Sequence, residues 1–278
     1  MMVRIPAAVI VALVACFARS APGQTSAPVA ATRPATTQAV NFPDESTTGP
    51  KKGIELRPSG SVDARVAGMV IEGLDIRGRI LVEAPDVVIR NCRIVAPAEG
   101  VGIKITGSGP RTLIEDCEIT GPDSTNGISG SNYTARRLHI HHMGADAFRV
   151  VTNVTIESCY IHDLGLAPKS HGDGVQMYPT TGGNMRIVGN HIDARGANAA
   201  LFEVNNGWQV EKNYFNGGNY TIQCEGIAEN VFRDNVFGPD AKYGPIRVGS
   251  GDSLSLTWEN NHYSNGRAVP IPARKRKK

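Results

Sequence analysis

Aromatic residues make up only 6% of this 278-residue chain, and cysteine occurs five times. No two cysteines take the C-x-x-C spacing of a structural metal site, so a zinc ribbon or finger is excluded. Long apolar runs are lacking as well. Residues 7–15 form an apolar run of nine, too short to cross a bilayer, and no second one follows. From residue 69 onward no stretch keeps a helical period for three turns, which excludes a helical bundle. An excess of one charge sign is also missing. The five basic residues at 274–278 form a tail, and setting them aside leaves 24 basic against 26 acidic residues. A body so nearly neutral has no electrostatic footprint for nucleic acid. What is abundant is glycine, 31 residues, with asparagine recurring in the second half, and both favour turns.

The ends of the chain differ from its middle. Arg4 followed by the run at 7–15 reads as an export signal over residues 1–21. Leu13-Val14-Ala15-Cys16 resembles a bacterial lipobox and implies a lipid anchor at Cys16; the alternative is free secretion with cleavage near Ala18 or Ser20. Residues 22–52, rich in Ala, Pro and Thr, bury too little apolar surface to offset ordering entropy and read as a disordered tether. Residues 53–268 form the folded domain, and 269–278 a basic tail. The mature protein is expected to be a monomer without a transmembrane span. Its expected place is secreted or anchored in the cell envelope, in a bacterial periplasm or on the outer surface.

Within the folded domain one pattern recurs as VIEGLDI, VIRNCRI, LIEDCEI, ARRLHI, TIESCYI, RIVGNHI, QVEKNYF, VFRDNVF and TWENNHY. Its anchors are Leu74, Cys92, Cys117, Leu138, Cys159, Asn190, Asn213, Asn235 and Asn261, at spacings of 18, 25, 21, 21, 31, 23, 22 and 26 residues. Nine copies at such a period mean a solenoid. Most copies carry a second strand with period-two alternation, as in GIKI, AFRV, GVQM, LFEV, TIQC and PIRV. Three short strands and three turns per repeat predict an all-β, right-handed parallel β-helix of nine to ten coils. The four anchor asparagines then stack into a hydrogen-bonded ladder. Cys92, Cys117 and Cys159 take the same position earlier and read as small buried residues, with a Cys92–Cys117 disulfide within reach.

The coil pattern, the asparagine ladder at the turn between two strands and the G-Φ-x-Φ strand after the long loop resemble the pectate-lyase-like superfamily over roughly residues 53–266. That resemblance implies a substrate groove along the G-Φ-x-Φ strands and the loops before them. It names no single reaction, because lyases, hydrolases, epimerases and phage fibres share the architecture. H-G-D-G-V-Q, at 171–176, resembles a motif of secreted β-helix proteins. Neither the aspartate run of pectate lyases nor the paired aspartates of polygalacturonases is present.

Stacked coils let columns be read down the sequence. Asn126, Asp146, Asp173 and Ala199 precede the second strand, whose outward column is Lys104, Ser129, Arg149, Gln176, Glu203, Gln223 and Arg247. Three residues past the anchors run His141, His162, Asp193 and Asn216; one past them run Glu118, His139, Tyr160, His191 and Tyr214. Six of the seven histidines lie between positions 139 and 191, and the longest coil gains its length in the loop 163–172. Insertions in a solenoid collect on the binding face.

This composition suits an acidic polysaccharide, and the resemblance implies a lyase acting by β-elimination at a uronate. Asp146, Asp173 and Glu203 are the expected Ca²⁺ ligands, since that ion takes several oxygens. His171 is the base candidate by intrinsic acidity, with Arg149 and Lys169 as alternatives. Gln176, Tyr178, His141, His162, Asp193 and Tyr160 are expected to bind sugar. A glycoside hydrolase using the carboxylates and a non-catalytic, adhesive glycan-binding β-helix are the other readings.

Overall fold

A computed structural model of the chain describes residues 41–107, 111–123, 125–177, 183–225, 229–249 and 256–270. The export segment with Cys16, residues 22–40 of the tether, Tyr178 and residues 271–278 lie outside the described residues.

The described strands form three parallel sheets. Sheet A has ten, from Arg57–Ser59 to His262–Tyr263. Sheet B has nine, from Val62–Ala64 to Gly244–Val248, and sheet C nine, from Val70–Glu72 to Leu256–Glu259. The chain visits A, B and C in turn, and each strand pairs with its equivalent one coil away. The expected all-β parallel β-helix is therefore the fold, with the right-handed crossover that parallel strands adopt. Alternation sends one residue of each pair inward. In sheet A the inward column is Ile76, Ile94, Ile119, Ile140, Ile161, Ile192 and Phe215, none of them exposed. Each such side chain contributes about 1.5–3 kcal/mol by leaving water.

The anchors sit in the turn from sheet C to sheet A, where the asparagine ladder forms as expected. Asn190, Asn213, Asn235 and Asn261 are buried, and each Oδ1 accepts the backbone N–H of the preceding anchor at 2.9–3.1 Å. The Nδ2 groups donate to carbonyls of the coil before, such as Asn213 to Ile187 at 2.9 Å. Cys159 begins the series, and Cys92 and Cys117 are likewise buried; both of the latter are free, so the disulfide is not formed. A second column explains the G-Φ-x-Φ strands of sheet B. A Cβ on Gly127 would lie 2.5 Å from the Ala147 carbonyl oxygen, and one on Gly174 2.5 Å from that of Ala200. At these two positions even an alanine would clash, so only glycine fits.

Residues 41–52 depart from the tether assigned to them. Phe42 packs on Tyr214 with ring centroids 5.4 Å apart, the Pro43 carbonyl accepts from His191 Nδ1 at 3.1 Å, and Gly49 N–H donates to Arg137 O at 3.0 Å. Lys51 N–H donates to Asn91 Oδ1 at 3.3 Å. The segment thus runs as a strap over the outer face of sheet A. Composition predicted disorder because one phenylalanine and a few backbone bonds leave little compositional trace.

The ladder sets a stability prediction. Asn213→Ala strands the buried Asn190 N–H and the Ile187 carbonyl, at about 1–3 kcal/mol per group. Urea unfolding should show a loss of about 3 kcal/mol; an unchanged midpoint would contradict the ladder's role.

Candidate functional site

The outer face of sheet B carries the polar column expected from the sequence. Lys104 pairs with Ser129, Ser129 with Arg149, Arg149 with Gln176, and further along Gln223 with Arg247. In one coil the alignment is off by one, because Gln176 faces Phe202 and not Glu203. The pairing to the next coil then shifts between Leu201 and Val204, and Glu203 takes a φ of 54°. This bulge re-aims its side chain, so that Glu203 Oε2 accepts from Gln176 Nε2 at 3.2 Å. Arg149 is gripped on two sides: it donates to Gln176 Oε1 at 3.1 Å, and its Nε lies 3.3 Å from Asp146 Oδ2. Its side chain is 37% exposed.

Asp146 and Asp173 lie in neighbouring coils, as expected, but both are sealed, at 3% and 1% exposure. They belong to a further side-chain ladder. Asn126 Oδ1 accepts from Asp146 N–H at 3.2 Å, and Asp146 Oδ1 from Asp173 N–H at 3.0 Å. Asp173 Oδ1 accepts from Asn198 Nδ2 at 3.0 Å, and Asn198 Oδ1 takes Asn219 Nδ2 at 3.2 Å and Gln223 Nε2 at 3.3 Å. Lost hydration raises both carboxyls. Asp173 is pushed up to about 8 by burial and then by the charge of Asp146. Burial lifts Asp146 to about 6 against the pull of Arg149. Asn198 joins the ladder to the polar column, yet in the sequence it precedes Ala199 and looks like an ordinary turn residue.

Lys169, at φ 64°, and His171 are both exposed on the loop 163–172. The base of that loop is tight: a Cβ on Gly172 would lie 2.6 Å from Gly165 Cα. The glycines of H-G-D-G-V-Q therefore serve packing, whereas Asp173 serves the ladder and Gln176 the outer face.

The remaining predicted sugar binders stand on sheet A, away from this column. His141 and His162 are half-buried, and His162 Nε2 lies 2.9 Å from His139 Nε2. Burial lowers the His139 imidazole to about 4, helped by repulsion from His141 and His162. Tyr160 lies between His139 and His191, with ring centroids 5.4 and 4.8 Å away, in the column crossed by the strap. Asp193 is 8% exposed and bonded to Arg195 at 2.8 Å. These two are occupied by the protein's own contacts.

Residues 126–273, more than half of the chain, match the family described as right handed β-helix region. The chain belongs to that family. Two solved structures are similar to this chain, and the first of them shows the same architecture. An alginate lyase from Paenibacillus sp. str. FPU-7 is 14% identical, with a TM-score of 0.53, over 76% of this chain and 99% of that one. The A-module of the Azotobacter vinelandii mannuronan C-5 epimerase AlgE6 is 10% identical, with a TM-score of 0.38, over 78% of this chain and 90% of that one. A search of curated protein sequences found no match.

Within this β-helix, Asp146, Asp173 and Glu203 do not fit the calcium ion expected of them. Asp146 gives one oxygen to a backbone N–H and turns the other to a guanidinium, which already supplies positive charge. Asp173 is closed to solvent. Among the described residues, the group of three whose ligand atoms lie within 4.8 Å of one another is histidine, not carboxylate. Sequence reading also missed a cavity of about 540 Å³ on sheet C, lined by Leu113, Thr134, Thr155 and Arg186. Its lining residues include no carboxylate or histidine, so it offers shape without acid–base chemistry.

The raised Asp173 gives a pH-dependent stability. Folding lifts its pKa from 3.8, so the native form holds the proton more tightly; its contribution is intact below about pH 4 and is lost as pH climbs through 8. Asp173→Asn should melt roughly 5 °C above the wild type at pH 8.5 and level with or below it at pH 4. A difference independent of pH would show that Asp173 does not titrate as described.

Proposed function

We propose that this β-helix binds an acidic glycan along the outer face of sheet B and cleaves it by β-elimination at a uronate. The observation that carries this reading is Arg149, part-exposed and fixed between Asp146 and Gln176, in a column that also bears Lys104 and Arg247. A guanidinium held in one orientation neutralises a carboxylate and stabilises the charge that develops when the neighbouring C–H is broken. The long loop brings His171 and Lys169 into the chain just before the strand that holds Gln176. In this reading His171 removes the C5 proton, and the electron pair of that bond forms the C4–C5 double bond. The C4–O bond leaves with its own pair, and the departing oxygen takes a proton from Lys169 or water. Gln176 and Tyr178 bind sugar hydroxyls. Asp146 positions Arg149 and neither aspartate touches the glycan, so the sealed pair gives no support to a hydrolase. The likeness to an alginate lyase supports the fold on which this reading rests.

The test is incubation of the purified protein with pectate, alginate and glycosaminoglycans, following unsaturated-product absorbance and reducing ends. Absorbance rising with chain cleavage is expected for at least one of them. Arg149→Ala should lower kcat/KM by roughly 100- to 1000-fold, and His171→Ala by roughly 100-fold or more. Reducing ends without absorbance would replace the lyase by a hydrolase. Binding without either product would leave an adhesive β-helix.

A further inference from the structure

We propose that His139, His141 and His162 form a binding site for a borderline transition-metal dication, with Zn²⁺ as its simplest occupant. Their ligand nitrogens all lie within 4.8 Å of one another, on the outer face of sheet A. Column stacking sets His141 on His162, and His139 stands two residues earlier on the strand of His141. His139 pairs with Tyr160 across the coils, whereas His162 belongs to the other outward column, so their contact is diagonal. The register between Glu118–Gly121 and His139–Met143 shifts after Ile119, and His142 takes a φ of 51°, so one extra residue is accommodated while Ile140 and Met143 stay buried. His141 and His142 both then point outward, with the His141 ring 4.2 Å from that of His139 and stacked at 5.3 Å on that of His162.

The surroundings suit a metal. His162 Nδ1 lies 2.9 Å from Asp163 Oδ2; donating its proton there leaves the lone pair on Nε2, which faces His139 Nε2 at 2.9 Å. A carboxylate on the far nitrogen of an imidazole is the usual outer support of a metal-bound histidine. Glu118 Oε1 lies 3.3 Å from His141 Nε2 and adds a second carboxylate at the edge of the group. Tetrahedral zinc at about 2.0–2.1 Å from each nitrogen needs donors about 3.3 Å apart, and small rotations of three part-exposed rings supply that. The His141 and His162 side chains are 16% and 20% exposed, which leaves the group reachable from solvent. Imidazoles select zinc, copper or nickel over calcium or magnesium. The site is separate from the sheet B column and does not depend on the lyase reading.

The experiment is calorimetric titration of ZnCl₂ into the full chain, without a histidine tag and after chelator treatment. One ion per chain is expected, with a Kd on the order of micromolar or tighter, and no comparable heat with CaCl₂. His139→Ala and His162→Ala should each weaken binding at least about tenfold, while His262→Ala, outside the cluster, leaves it unchanged. Circular dichroism confirms that the variants are folded. On the wild-type chain, Zn²⁺ should also protect His139, His141 and His162, but not His171, from diethylpyrocarbonate, as read by peptide mass spectrometry. Absence of one-to-one binding, binding that survives both substitutions, or equal modification with and without Zn²⁺ would overturn the site.

Discussion

Each coil of this protein completes the hydrogen bonding of the next, and the rest of the structure depends on that constraint. Parallel strands do so where the backbone is extended. At the turns side chains take over, most clearly where the Oδ1 atoms of Asn190, Asn213, Asn235 and Asn261 accept the N–H of the coil before. Because a buried backbone N–H without a partner costs about 1–3 kcal/mol, these positions tolerate few residue types. Stacking then follows in every column: isoleucines inside sheet A, small residues at the corner of sheet B, polar side chains on the outer faces.

The same constraint accounts for the candidate site and for its limits. Asp146 and Asp173 look catalytic because two carboxylates stand together beside an arginine. Their geometry is that of ladder members, each accepting from the coil beside it, and their raised acidity constants follow from burial. Asp146 holds Arg149, and both aspartates remain closed to a polymer in solution. What faces outward is Arg149 with Gln176, Glu203, Lys104 and Arg247, a surface suited to an anionic chain. Three faces of one solenoid are thus used differently. Sheet B carries the polar column, sheet A is crossed by residues 41–52, and sheet C forms a cavity without titratable carboxylates.

Much of the fold was legible because the anchor pattern recurs in successive coils and period two holds along most strands. Tyr160, His191 and Tyr214 pair across the coils as the columns predicted. The misreadings have local causes. A one-residue bulge at Glu203 and another at His142 leave no mark in composition, yet each changes which side chain faces outward. The strap was hidden because its contacts are mostly backbone bonds to a surface distant in sequence. Asp173 was placed in the right column with the wrong exposure, since a corner residue points in or out according to the turn, and alternation says nothing there.

By itself, the sequence determined the parallel β-helix, its coil boundaries, its asparagine ladder and the columns in which polar residues stack. These follow from a repeat written into residue types, because equivalent residues one coil apart must share one environment. Only the tertiary structure decided that the aspartates are sealed, that Glu203 reaches Gln176 through a bulge, and that three histidine rings converge. Those outcomes depend on side-chain direction at corners and bulges, where the repeat is locally broken and packing between coils chooses the conformation.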